Sequence, residues 1–396
     1  MQSHKPELHL EYSLYDAFGN KLFTKQHNHK EIAPAEISIV VKDNKGRIVK
    51  EHKQPMRSLL GNYIKSLFIE TFYLTQTPAL QMENIADIFC GRSSSGNCLI
   101  SNGGAGNNYG IVIGADPTAV TATQNKLFGV ISHGSGTGQL NYSAMTFYTS
   151  TAITGGYQFE IKRQFTNSTT NTIYVKEVGL YGSWDTTNRI CYARDVLDSS
   201  GAAINIGVTA GQTIEVRYTF QIDQAGLFNK VFFDMLYGKM SGTSVTMKST
   251  DGMDRTMAHT TYYPLAASAN DSTYGLTLGT FSSPQSVDSY QLGNRIIQGT
   301  SSGQLEYLIT EVVPYSEDPT FAEFGVKRKF TNRSGAPIVV NEVGLSAKGS
   351  VGSYEFLFSR AAVSPITIGD QQTIEVKFVV RATTMDIVSV PVNAAQ

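Results

Sequence analysis

The chain has 396 residues, enough for two or three domains with sizeable cores. Charged residues make up 16% and the formal net charge is −1, which removes any global electrostatic reason to expect DNA, RNA or an anionic membrane as partner. Abundant Gly, Ser, Thr and Asn, with 20 Tyr and 20 Phe, suit a soluble β-rich protein with many turns.

The opening residues, MQSHKPELHLEY, lack the apolar core of a secretory signal, and no apolar run approaches the about 20 residues needed to span a bilayer. Synthesis and assembly in the cytoplasm are expected. Residues 1–54 read as a β-hairpin arm. Leu8–Tyr15 and Leu22–Lys25 flank Phe18-Gly19-Asn20; Ile37, Ile39 and Val41 alternate with polar neighbours before Asn44-Lys45-Gly46 turns the chain. The second half shows no copy of this arm, so it is read as an addition to the first unit.

Met56, Leu59, Leu60, Tyr63, Ile64, Leu67 and Phe68 then recur at helical spacing. A matching stripe, Leu227, Phe228, Val231, Phe232, Met235 and Leu236, lies 168 residues on (227 − 59). Each stripe predicts an amphipathic helix packed on one surface, its own sheet. Residues 75–108 and 241–273 follow the two helices and resemble each other least; the first contains SSSGNCLISNGGAGNN, which reads as a flexible surface loop.

Residues 159–180, FEIKRQFTNSTTNTIYVKEVGL, return at 324–345 as FGVKRKFTNRSGAPIVVNEVGL, a step of 165 (324 − 159). Tyr109–Gly114 recurs as Tyr274–Gly279, and Gly138-Gln139-Leu140 as Gly303-Gln304-Leu305. Each unit closes on a strictly alternating strand: Ile214, Val216, Tyr218, Phe220 and Ile222 in the first, Ile374, Val376, Phe378 and Val380 in the second. The expected architecture is mainly β: an arm (1–54), two tandem antiparallel β-sandwich units (55–222 and 223–384), each with one packed amphipathic helix, and a tail (385–396).

Little in the sequence carries chemistry. Gly134–Gly138 and Gly103–Gly106 lack a P-loop ending and read as turns. Cys90, Cys98 and Cys191 are an odd number; free thiols are expected, a Cys90–Cys98 bridge being the alternative. His27 and His29 form an H-x-H pair, a weak metal candidate that lacks a further ligand within the chain. Glu177 and Glu342 recur with Arg194 and Arg360, which reads as a structural pair tying adjacent strands rather than a catalytic one. Tyr109, Tyr262 and Tyr263 are candidates to stack on a glycan. The acids of Glu317–Glu323 lack a calcium-loop spacing. No cofactor is expected.

The combination of Lys176–Leu180, Tyr192-Ala-Arg-Asp195, Gly211–Val216 and Tyr218–Phe220, matched by Asn341–Leu345, Phe358-Ser-Arg360 and Gln371–Val376, resembles a module of tailed-bacteriophage virion proteins. The second unit departs from it at Asp370-Gln371 and at Ser346. The resemblance covers about half of each unit and describes a fold more than an activity. It implies a non-enzymatic virion component, assembled in the host cytoplasm, that contacts copies of itself and other virion proteins, in the tail or neck. The alternatives are a capsid-surface accessory (decoration) protein and a glycan-binding adhesin with a host-surface glycan as partner. Neither nucleic acid nor membrane is an expected partner.

Overall fold

The computed structural model describes residues 7–30, 33–56, 60–67, 72, 82–90, 100, 106–121, 123–183, 188–223, 228–281, 284–317 and 321–383. The chain is mainly β, with antiparallel sheets of the β-sandwich class and two helices among the described residues.

The principal strands of the first half are β3 (Ala33–Lys42), β4 (Ile48–Gln54), β5 (Gly110–Gly114), β6 (Thr146–Ile153), β7 (Gly156–Thr166), β8 (Glu177–Ser183), β9 (Arg189–Val196) and β10 (Thr213–Asp223). They form a large sheet in the order β4-β3-β10-β7, with β6 and the short strand Asn141–Tyr142 both laddered onto the far side of β7, and a small sheet β9-β8-β5. The alternation read in the closing strand sets the core. Ile214, Val216, Tyr218, Phe220 and Ile222 of β10 are each no more than 4% exposed. Each such side chain contributes about 1.5–3 kcal/mol by leaving water.

The second half repeats the plan. Its principal strands are β11 (Gly275–Gly279), β12 (Glu311–Glu317), β13 (Phe321–Thr331), β14 (Ile338–Lys348), β15 (Glu355–Ile368) and β16 (Thr373–Thr383), and Val245–Lys248 pairs with Asp254–Met257 in a separate hairpin. The small sheet is β11-β14-β15, and the large sheet has β12 and β16 on either side of β13.

That large sheet is completed from the far end of the chain. The first hairpin, β1 (Glu7–Tyr15) and β2 (Lys21–Lys30), lies on the other side of β16, in register from Glu7 opposite Arg381 to Tyr15 opposite Thr373. The second hairpin, β3–β4, does the same for β10. This corrects the expectation that the whole arm belongs to the first unit.

The two hairpins repeat one another at a step of 27 (43 − 16). Asp16 Oδ1 accepts the amides of Phe18 and Asn20 at 2.9 and 2.8 Å; Asp43 Oδ1 accepts those of Lys45 and Arg47 at 2.8 and 3.0 Å. Gly19 and Gly46, at φ 85° and 77°, close the turns in the left-handed region that glycine enters without penalty. Leu10, Tyr12 and Leu14 match Ile37, Ile39 and Val41, and all six are buried. The physical need is plain: a closing strand with one apolar face would otherwise be a bare, sticky edge. Residues 224–229, between β10 and the following helix, are too few to supply a second hairpin.

The helices also depart from the one-surface expectation. In α2 (Lys230–Ser241), capped by Asn229 and by left-handed Gly242, every residue from Val231 onward is buried. The reason is its position between the halves. Phe232 meets Phe358 of β15 with ring centroids 5.8 Å apart, while Phe233 and Tyr237 meet Phe159 of β7 at 4.8 and 5.4 Å. For α1 (Gly61–Ser66), Tyr63 packs on Tyr192 of β9, and Lys65 pairs at 2.7 Å with Glu317 of β12. Leu59, Phe68 and Leu227 lie outside the described residues.

The contacts between halves are reciprocal. Ile100 N–H donates to the Met240 carbonyl (3.0 Å), and Leu265 N–H to the Phe72 carbonyl (3.4 Å). Ile100 and Leu265 are 165 apart; Phe72 and Met240 are 168 apart, the step of the helices. Phe72 also meets Phe324 at 6.0 Å, and Phe159, the counterpart of Phe324 165 residues earlier, meets Tyr237 at 5.4 Å. Such mutual contacts are the signature of an isologous interface, here within one chain.

Candidate functional site

The recurring Glu-Val-Gly-Leu segment is the middle strand of each small sheet, buried on both faces. Glu177 stands opposite Gly114 on β5, and Gly179 opposite Arg194 on β9. The second unit repeats both pairings, Glu342 with Gly279 and Gly344 with Arg360. With a two-residue side-chain period, Glu177 and Gly179 share a face, so the arginine reaches diagonally across glycine to the carboxylate.

Both pairs form. Arg194 Nε lies 2.6 Å from Glu177 Oε2 and Arg360 Nε 2.7 Å from Glu342 Oε2, with side chains between 0% and 3% exposed. The second carboxylate oxygen is taken by a loop amide that crosses the small sheet: Gly129 N–H on Glu177 and Gly293 N–H on Glu342, each at 2.8 Å. Arg194 also donates to the Ala119 carbonyl and to Gln124 Oε1, and its guanidinium lies 4.6 Å from the Phe128 ring centroid. Arg360 donates to the Pro284 carbonyl at 2.9 Å. A Cβ on Gly114 or Gly279 would stand 2.3 or 2.4 Å from the glutamate oxygen, so glycine makes the space the carboxylate occupies.

Each ion pair thus fastens two strands to an overlying loop. A buried carboxylate and guanidinium are costly apart and acceptable together, which makes the pair a specificity device for strand register. Both carboxylate oxygens are committed to donors of the protein itself, and both glutamate side chains are 0% exposed.

A second duplicated arginine has no signature in the charge pattern of the sequence. Arg163 of β7 crosses from the large sheet to the small one, donating to the carbonyls of Ser143, Tyr109 and Ile111 at 2.8, 2.6 and 3.1 Å. Arg328 repeats this with Leu308, Tyr274 and Leu276, and adds Ser268 and Asp271. Each guanidinium lies 4.8 Å from a tyrosine ring, Tyr142 or Tyr307. Burial pulls both guanidinium groups down to about 10.

Asn167 and Asn332 complete the set. Their side-chain amides donate to the carbonyls of Asn171 and Val208 and of Ala336 and Ile368, all within 2.7–2.8 Å. The signal was present: Lys-Arg-x-Phe-Thr-Asn stands in both copies. A buried Arg without a carboxylate partner cannot, however, be anticipated from charge pairing.

The remaining candidates separate. His27 and His29 are two residues apart on β2, opposite Leu10 and Leu8; their side chains lie outside the described residues. Among the described residues no group of three or more metal-ligating side chains gathers. Cys191 is a buried free thiol whose ionisation burial pushes well up; Cys98 lies outside the described residues, as does the side chain of Cys90. Tyr263 is 1% exposed and packs on Phe356 and Phe358, so it is core. Tyr109 lies under Arg189, ring centroid to guanidinium 3.9 Å, and Tyr262 faces Lys239. Gly134 and Gly138 form a turn whose Gly136 amide bonds Gln139. Glu317 pairs with Lys65, and Glu323 with Arg381, rather than with each other.

One shallow depression of about 110 Å³ lies on the outer face of the first large sheet, lined by Glu36, Lys53, Glu160, Glu215 and Arg217 among others. Its acids are matched by cations: Glu36 with Lys53, and Glu160 and Glu215 with Arg217, at 2.9–3.1 Å. No helix among the described residues is long and apolar enough to cross a membrane. No protein-family model matches this chain, and neither does any curated protein or solved structure.

Proposed function

We propose that the protein is a non-enzymatic structural component of a tailed-phage particle, built in the host cytoplasm and set in the tail or neck, where it contacts copies of itself and other virion proteins. The observation that supports this most is what the two halves have in common. The buried polar side chains described in both copies, Glu177/Glu342, Arg194/Arg360, Arg163/Arg328 and Asn167/Asn332, are spent on holding strands and loops. A duplicated catalyst would be expected to share an accessible acid, base or nucleophile; a duplicated scaffold shares its fasteners.

The resemblance of the Glu-Val-Gly-Leu and Gln-Thr-Ile-Glu-Val segments to tailed-phage virion modules supplies the setting. Two like units in one chain suit a ring or shell in which each presents an equivalent surface to a neighbour. The test is the oligomeric state of the full chain by native mass spectrometry and negative-stain microscopy, with copy number per particle by quantitative proteomics. Regular rings or a fixed high copy number are expected. A strictly monomeric chain that is absent from purified particles refutes the reading.

A further inference from the structure

The slot beside β16 is filled by an element that its own half does not encode. The ladder between β1 and β16 runs the full length of β1, and it buries Leu10, Tyr12 and Leu14 at 1%, 0% and 5% exposure. The sequence-equivalent hairpin β3–β4 is covalently continuous with the unit it completes, leading into α1 after Gln54. The hairpin β1–β2 instead hangs from β3 by residues 31–32, at the far end of the chain from β16. Each unit needs one hairpin and each chain carries two, so the count is met whether the first hairpin fills the slot of its own chain or that of another copy. An element so far along the chain from the strand it pairs with exchanges between copies at low cost, because every native contact is remade in the exchanged form.

The outer strands of both hairpins carry charge. β2 carries Lys21, Lys25 and Lys30, and β4 carries Lys50 and Lys53, the charges that discourage edge-to-edge pairing. Among the described residues, the side of β16 that receives β1 is the one large-sheet edge completed by a hairpin from outside its own half.

From this we infer that the first hairpin, residues 7–30, couples one copy of this chain to another: it fills the slot beside β16 of a neighbouring copy and so links subunits by backbone ladders. The inference rests on the assembling role proposed above and names the contact through which assembly occurs. Its partner is a second copy of this chain.

The experiment places cysteines across the ladder, Glu11→Cys with Lys377→Cys, which stand opposite each other. The full chain carries Cys90→Ser and Cys98→Ser to clear the background. Ser13→Cys with Glu375→Cys is the independent second pair. Native mass spectrometry first establishes whether the protein is oligomeric; it is then oxidised and run denatured without reductant. The expected result is a ladder of covalent multimers holding at least half of the chains, absent from each single-cysteine control. Oligomers that yield only intrachain links overturn the exchange and leave the structural role standing. A chain that stays monomeric at all concentrations, with intrachain links, overturns the exchange, and the structural role is then decided by copy number in purified particles. Failure of both pairs to form any disulfide overturns the exchange too, since the strands are then not paired.

Discussion

Replacing Glu177 with alanine leaves a guanidinium that is 0% exposed without its counter-ion, and the Gly129 amide without its acceptor. Breaking one side of a buried pair costs about 3–5 kcal/mol, because the surviving charge keeps its desolvation penalty and loses its compensation. Glu342→Ala should cost the same, since its bonds to Arg360 and Gly293 copy those of Glu177 within 0.1 Å: 2.7 against 2.6 Å and 2.8 against 2.8 Å. For a unit of this size, about 4 kcal/mol lowers the midpoint of thermal unfolding by roughly 10 °C. Urea unfolding followed by circular dichroism gives the free energy directly. The double variant Glu177→Ala, Arg194→Met should recover at least about 1 kcal/mol relative to the sum of the single changes. A loss below about 1 kcal/mol for Glu177→Ala would refute the reasoning, because it would mean that Arg194 escapes to water or is held well enough by Ala119, Gln124 and Phe128.

Gly114→Ala and Gly279→Ala should each destabilise by about 3 kcal/mol, since the new methyl meets the glutamate oxygen at 2.3–2.4 Å; denaturation curves matching the parent would sink this. Tyr218 carries a buried hydroxyl with no hydrogen-bond partner among the described residues, and Phe378 stands at its place in the second half. Tyr218→Phe should therefore be neutral or stabilising by about 1 kcal/mol, and a clear loss in urea would show a missed partner. Burial holds the Asp234 carboxyl above its ordinary range, against the pull of Lys230. A raised folded-state value means that the charged form is a cost at neutral pH, relieved as pH falls through that value. Asp234→Asn should then stabilise most near pH 7, and a gain that does not shrink toward pH 4 contradicts it. Phe232→Ala removes a ring that meets Phe228 and Phe358, at 4.0 and 5.8 Å, and should cost about 3–5 kcal/mol by the same assay.

Much of the fold is legible along the chain. Alternation in residues 213–222 and 374–380 announces strands with one buried face, because a pleated strand turns successive side chains to opposite sides. The 165-residue step announces two like units, since like sequences fold alike. The pairing of Glu177 with Arg194, and of Glu342 with Arg360, follows from their joint recurrence. For the helices, spacing locates the apolar residues of α2 but implies a wet face. Contacts from the other half, Phe159 above all, cover that face, and helical periodicity carries no record of them.

By itself, then, the sequence determined the strands, the duplication and the partners within each ion pair, all of which depend on local periodicity or on residues that recur together. Only tertiary structure decided that the first hairpin completes the second unit, that Arg163 and Arg328 bind carbonyls and not acids, and that the halves meet through reciprocal contacts. The physical reason is that a strand edge accepts any hairpin of matching alternation. Which one arrives is settled by chain connectivity and by the shape of the space left open, neither of which is written at the edge itself.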